Sequence, residues 1–213
     1  MDIFNILIAG IGGQGTILLG NILREYGLRS PLIKNVVGTE TRGVSQREGS
    51  VSSTVRYLID SKIYSLEQGY EIEDLVSPLI PTNDAHLIIG LEPLETLRNL
   101  KFISEKTEII YNTHKRFPRN VLLNSELEGE YPSNAYILDI LDQFARRTIS
   151  MDFTELSIQY FESSIYANII SLGVSVKEFQ NILHKKLILK VIKDYFPDST
   201  KNTEAFELGF DLV

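Results

Sequence analysis

Three glycines near the start of the chain, Gly10, Gly12 and Gly15, stand in the spacing G-x-G-x-x-G within "ILIAGIGGQGTILLGNILREYG" (residues 6–27). An apolar run leads into them and a helical pattern follows. That order suits an anion. Gly10 permits a tight turn, Gly12 lets backbone approach a ligand, and Gly15 lets a helix pack closely on the strand. The free N–H groups and partial positive charge of a helix start would face a phosphate or carboxylate. A dinucleotide site also needs an acid near the end of the second strand, to hold the ribose hydroxyls. The run expected to form that strand, "LIKNVV" (32–37), holds none, and the next acid is Glu40. Lys34 alone is weak support for a phosphorylated ribose. The loop also continues as Gly13-Gln14, a second glycine followed by an amide. Glycines that only tighten a strand-to-helix turn would show the same spacing. NAD is disfavoured.

A second segment, "GTETRGVSQREGSV" (38–51), interleaves Gly38, Gly43 and Gly49 with Glu40, Arg42, Gln46, Arg47 and Glu48. Without apolar periodicity it reads as a loop between the second and third strands. Two arginines among glycines combine adaptable backbone with planar, fork-shaped donors that match carboxylate or phosphate oxygens. The bland alternative is a solvated loop whose charges pair among themselves. Two further places sit at strand ends. "LEPLETLRN" puts Glu92 before Pro93 at a helix start, where Glu92 and Glu95 favour the positive helix end. "YNTHKRFP" puts Asn112 and Thr113 at the tip of the next strand, followed by the basic trio His114, Lys115 and Arg116, a pattern more often solvated than liganded.

The elements that must position these residues follow from periodicity. Runs at 3–10, 32–38, 50–59, 85–92 and 107–112 are short, apolar and rich in Ile and Val, and read as strands. Helical spacing appears at 14–27 and near 92–100. Strand, helix, strand predicts a Rossmann-like, three-layer α/β/α arrangement with a largely parallel sheet. A turn at Asp60-Ser61 pairing 50–58 with 62–66 would make the sheet mixed. After about residue 150 the chain turns helical. Asp152 and Glu155 stand at capping-box spacing before a helix expected to end at Gly173, and Ser175 and Glu178 suggest a second box. Pro197 should close that helix, and "NTEAFELGFDL" should form a last short one. With no linker or repeat, the reading is one domain over 1–213, an α/β core (1–150) with a helical C-terminal part (151–213).

Composition narrows the function. The 213 residues, 43% hydrophobic, suffice for one good core. A net charge of −7 argues against nucleic acid, and no apolar run has the length of a membrane span. The start lacks the basic segment of a signal peptide, so a cytoplasmic chain is expected. There is no cysteine, which excludes disulfides and cysteine-held zinc or iron–sulfur sites on this chain. His86, His114 and His184 show no metal-ligand spacing, and no metal is expected.

"GIGGQG" followed by "TETRGVSQREGSV" resembles the gamma-type subunits of the 2-oxoacid:ferredoxin oxidoreductases, and more narrowly the small (beta) subunits of their indolepyruvate branch. The resemblance continues in order through "LIIGLEPLETLR" (87–98), "IIYNT" (109–113), "YANIISLG" (166–173) and "NTEAFELGF" (202–210), so it covers almost the whole chain. One departure stands out: many relatives carry Arg-Gly-Gly where this chain has Arg47-Glu48-Gly49. The resemblance implies CoA-dependent oxidative decarboxylation of a 2-oxoacid with reduction of ferredoxin. It places thiamine diphosphate, magnesium and iron–sulfur clusters in a larger partner subunit, and leaves this chain inert alone. It further implies that Arg42, Gln46 and Arg47 contribute to a shared catalytic site, lined by Gly10, Gly12, Gly13, Gln14, Gly15, Glu40, Gly43, Glu92, Asn112 and Thr113. The competing readings are a dinucleotide-binding regulatory or redox domain, a gamma subunit of a pyruvate, 2-oxoglutarate or 2-oxoisovalerate enzyme, and a partner that is purely structural.

Overall fold

The computed structural model describes residues 2–43, 49–60, 77–116 and 131–213. Six strands form one sheet in the order β2-β3-β1-β4-β5-β6. They are β1 (Asp2–Ile11), β2 (Ile33–Arg42), β3 (Ser50–Ile59), β4 (Leu87–Gly90), β5 (Glu108–Asn112) and β6 (Arg147–Met151). β1, β4, β5 and β6 are parallel neighbours, whereas β3 runs against both β1 and β2. The sheet is therefore mixed, but through β3 itself. The expected partner run, 62–66, lies outside the described residues.

Alternation along the strands sends side chains to two helical layers. On one face Phe4, Ile6, Ile8, Leu87, Ile89 and Ile110 pack beneath α1 (Thr16–Arg29), α5 (Ala167–Glu178), α6 (Lys185–Tyr195) and α7 (Thr200–Asp211). On the other, Leu7, Ile88, Ile109 and Tyr111 meet Ile137 and Leu141 of α3 (Asn134–Phe144), beside the short α2 (Pro93–Arg98). α4 (Phe153–Phe161) starts at the end of β6.

Four expectations are corrected. The polar segment 38–51 is not all loop, because β2 continues to Arg42 and β3 begins at Ser50. β6 has no counterpart in the sequence reading: an edge strand that opens on exposed Arg147 buries only Ile149 fully and carries no clear alternation. The helix expected to run from Asp152 to Gly173 is two helices. Asp152 does cap α4, accepting from Glu155 N at 2.8 Å, but the chain turns at Glu162, φ 56°, and Ser163 opens a 3-10 turn before α5. Finally, Gly173 and Ser175 lie inside α5, and the Ser175 hydroxyl donates to the Ser171 carbonyl at 2.8 Å rather than capping anything.

Gly173 has a packing role. A Cβ there would stand 2.2 Å from the Phe206 carbonyl oxygen, and one at Gly209 would stand 2.0 Å from that of Ile170. The two glycines let α5 and α7 touch backbone to backbone. Gly173→Val must push the helices apart, and overpacking of this kind costs about 1–3 kcal/mol. The thermal midpoint should fall by about 2–4 °C for each of those kcal/mol in a chain of this size. An unchanged midpoint in a thermal melt would show that the contact is looser than drawn.

The opposite edge of the sheet holds a buried polar cluster. Asn5 accepts from Arg56 Nε at 2.8 Å and donates to the Asp84 carboxylate at 2.8 Å, while Arg56 also donates to the carbonyls of Ser77 and Leu79. His86 Nδ1 accepts from Asn5 N at 3.1 Å, which requires that nitrogen to be unprotonated. Burial first, then the nearby Lys106 and Arg56 cations against the Asp84 carboxylate, lower the His86 pKa to about 4. Folding thus favours the neutral ring, and the stability it contributes is complete above the ordinary imidazole pKa and lost as pH falls from about 6.5 towards 4. The loss is on the order of 3 kcal/mol at the acid end. Urea midpoints measured across that range should drop for the native chain and stay flatter for His86→Gln. Parallel curves would remove His86 as the cause.

Candidate site at the carboxyl edge of the sheet

The chain leaves β1 for α1 on one face of the sheet and β4 for α2 on the other, so the crevice between their carboxyl ends is the topological switch point, where ligands of such sheets bind. Here the chain fills it. The Gln14 side chain folds back into its own turn, accepting from Ile11 N at 2.9 Å and donating to the Leu91 carbonyl at 3.0 Å. Gly10 makes room for this, since a Cβ there would come within 2.9 Å of both Gln14 Oε1 and Thr16 Oγ1. Gly13 (φ 94°) and Gly15 (φ 87°) take the left-handed conformation that the turn demands. Gly13 faces open space, but Gly15 is covered: Asn168, in the first turn of α5, donates to the Gln14 carbonyl at 3.1 Å and lies where a Gly15 side chain would be.

The second glycine segment is joined to the first. Gly12 N donates to the Gly49 carbonyl at 2.9 Å, and Gly43 N to that of Ser50 at 2.8 Å. The Ser50 hydroxyl then donates to Glu95 at 2.7 Å, which links the start of β3 to α2. Arg42 is level with Gly10 through Val51 of β3, its side chain 66% exposed and 3.3 Å from Glu40. Glu40 is also held by Arg24 at 2.9 Å. Gln46 and Arg47 lie outside the described residues.

Glu92 and Asn112 are buried fixtures of the same edge. Glu92 caps α2 by accepting from Glu95 N at 2.9 Å, and its carboxylate also takes hydrogen bonds from the Tyr131 hydroxyl and the Arg116 backbone. Burial raises the Glu92 pKa, and these hydrogen bonds oppose the rise. Burial raises the Tyr131 phenol as well, followed by its hydrogen bond to Glu92. Asn112 uses both ends of its amide. It donates to Thr154 Oγ1 at 2.8 Å and to the Leu91 carbonyl at 3.4 Å, and accepts from Phe153 N and His114 N. Thr113 N donates to the Met151 carbonyl at 2.9 Å. His114 Nδ1 is 3.5 Å from Asp152, both side chains nearly half exposed.

The structure therefore brings Gly10, Gly12, Gly13, Gln14, Gly15, Gly43, Glu92, Asn112 and Thr113 to one edge, with Arg42 at its β2 end. Asn168, Ser50 and Tyr131 belong to the same network and were not singled out from sequence, and Glu95, read there only as a helix-start acid, joins it through Ser50. Asn168 is 154 residues from Gln14, and its neighbours read only as a helix. Among the described residues no group of three or more His, Asp or Glu is placed to hold a metal, and no helix is long and apolar enough to cross a membrane.

The extension of β2 changes one premise of the NAD argument, since Glu40 does fall near the end of the second strand. It is still misplaced for a ribose. β3 stands between β2 and β1, which sets Glu40 two strands, roughly 10 Å, from the glycine turn. Its carboxylate is also engaged by Arg24 and Arg42.

A glycine turn at the switch point of a mixed α/β sheet, closed from inside by an amide, defines a Rossmann-like protein. The chain belongs to the pyruvate ferredoxin/flavodoxin oxidoreductase family, whose model matches residues 5–212. It is 33% identical to the indolepyruvate oxidoreductase subunit IorB of Archaeoglobus fulgidus, over 97% of this chain and 94% of that protein. The fold is similar to that of a pyruvate oxidoreductase subunit from Thermotoga maritima (TM-score 0.67, 16% identity, 99% and 97% of the two chains). It is also similar to the 2-oxoglutarate:ferredoxin oxidoreductase of Magnetococcus marinus, solved with 2-oxoglutarate, coenzyme A and succinyl-CoA bound (TM-score 0.67, 15% identity), where it covers 99% of this chain and 31% of the longer one.

With Gln14 and Asn168 occupying the turn and Glu40 remote, calorimetric titration of the free chain with NAD or NADP should give no saturable heat. Micromolar affinity for either would reopen the dinucleotide reading.

Proposed function

We propose that this chain is the small subunit of a cytoplasmic, indolepyruvate-type 2-oxoacid:ferredoxin oxidoreductase. Such an enzyme converts an aryl pyruvate, coenzyme A and oxidised ferredoxin into an acyl-CoA, carbon dioxide and reduced ferredoxin. The observation that carries the reading is the full-length likeness to the indolepyruvate oxidoreductase subunit. The chain acts as one domain, whose main core joins the sheet to the C-terminal helices.

Its own residues do not fit the redox and decarboxylation groups. The sequence has no cysteine for clusters and no G-D-G segment of the kind that begins a thiamine diphosphate motif. Those groups, with magnesium, belong to a larger partner subunit, through which ferredoxin is reached. This chain contributes its crest. Arg42, Gln46 and Arg47 meet an anionic group at the shared site, and the glycine turn lets partner or co-substrate come close at Gly13. Glu92 and Asn112 hold the edge in shape, with their polar atoms engaged inside the chain.

Alone, the purified chain should contain no iron and reduce no viologen with indolepyruvate. Mixed with a thiamine-dependent large subunit it should restore CoA-dependent reduction. Arg47→Ala should then cut the rate roughly 30- to 150-fold, the worth of one buried charge-assisted contact of about 2–3 kcal/mol formed mainly in the transition state. Lys in its place should rescue partly, because it keeps the charge but loses the planar fork. Normal assembly on size exclusion with full activity of both Arg42→Ala and Arg47→Ala would make the chain a structural partner only. Turnover by the chain alone would sink the proposal.

A further inference from the structure

Ile158, Tyr160 and Ile165 are large apolar side chains left exposed close together, the last two at 59% and 68%. They lie on α4 and the 3-10 turn after it, beside β6, the last strand at that edge of the sheet. A helix normally turns an apolar stripe to the core and polar residues to water. α4 buries only Phe153 and Ser157 fully, and among the described elements it packs chiefly on that turn and on α5. Its aromatic contacts run outwards instead. The rings of Tyr160 and Phe161 stand 6.5 Å apart and those of Phe161 and Tyr166 5.2 Å, with Ile165 adjoining in the chain.

This apolar surface is held on fixed backbone. Glu162 takes φ 56° to end α4, and the Ser157 hydroxyl donates to the Ser163 carbonyl while accepting from Tyr166 N at 3.2 Å. The charge around it has one sign. Between positions 148 and 176 the chain carries Asp152, Glu155 and Glu162 and no Lys, Arg or His. Glu155 and Glu162 are exposed, while Asp152 has His114 beside it at 3.5 Å. The cations at the start of β6, Arg146 and Arg147, are on Glu108 and Glu178. A second copy of this chain would set acid against acid, and an anionic surface would be repelled in the same way. The complement is an apolar surface rimmed by Lys or Arg.

We propose that α4 and its 3-10 turn dock this chain onto such a surface of the larger subunit, with Tyr160 and Ile165 as buried anchors and Glu155 and Glu162 on the rim. The proposal rests on the subunit role proposed above and names the face that performs it, apart from the glycine turn. Central aromatic and aliphatic anchors carry most of the binding energy of an interface, and rim charges set its association rate.

The test is the affinity of the full chain for the purified large subunit, read by biolayer interferometry. Tyr160→Asp with Ile165→Asp should raise Kd on the order of 100-fold, because each places a charge in an apolar contact. Circular dichroism and the thermal midpoint of the free variant should stay native, since both side chains are exposed there. Leu28→Asp, at an apolar residue 72% exposed near the far end of α1, should leave Kd unchanged. Glu155→Gln with Glu162→Gln should slow association and flatten its dependence on salt. A native Kd for the Tyr160 and Ile165 variant, or an equal loss with Leu28→Asp, would overturn the docking face while binding by the native chain still supports the subunit role. Dimers of the native chain in sedimentation velocity, broken by the same two substitutions, would also overturn it and make a second copy the occupant. A native chain that binds no thiamine-dependent large subunit would instead refute the subunit role, and the docking face with it.

Discussion

One carbonyl organises the carboxyl edge of the sheet. Where β4 ends, the Leu91 oxygen accepts from the Gln14 amide, which leaves the end of β1, and from the Asn112 amide, which ends β5. Leu91 N in turn donates to the Ala9 carbonyl at 2.7 Å. Three neighbouring strands finish here on buried polar backbone that cannot keep its water, so each group needs a partner inside the chain. Two side-chain amides supply them, and both do so because an amide offers a donor and an acceptor from one planar group.

The rest of the edge follows from this arrangement. Gln14 can reach Leu91 only if the turn folds tightly over it, which requires a bare Gly10 and left-handed Gly13 and Gly15. A bare Gly15 leaves room for Asn168, and so fixes the start of α5 against the start of α1. Asn112, fully satisfied, draws the start of α4 and the His114 backbone to the same line. Glu92 does the equivalent on the other face of the sheet, joining α2, Tyr131 and Arg116. A motif that in other α/β proteins receives a ligand is here occupied by the protein.

Much of the scaffold was legible because its signals are local. β1, β3 and β5 are short apolar runs, and their observed limits fall within a residue or so of the expected ones. The cap at Asp152, the proline-led start of α2 and the last helix depend on residues within a few positions of one another. β6 was illegible because an edge strand buried on little more than Ile149 has no period to detect. Gly173 misled for a related reason: a glycine that stops a helix and one that lets two helices touch look alike until the second helix is in place.

The sequence by itself determined the α/β class, the cysteine-free chemistry, the family likeness and the two glycine segments, since all of these reside in composition, spacing or order. Only the tertiary structure decided what the glycines do. Inserting β3 between β1 and β2 moves Glu40 away from the turn, and pairs the turn with Gly49 instead. The contact of Asn168 with Gln14 spans 154 positions, and the engagement of Glu40 by Arg24 joins a helix to a strand. Such contacts depend on strand order and helix placement, which arise from burying two faces of one sheet at once, and no window along the chain contains that constraint.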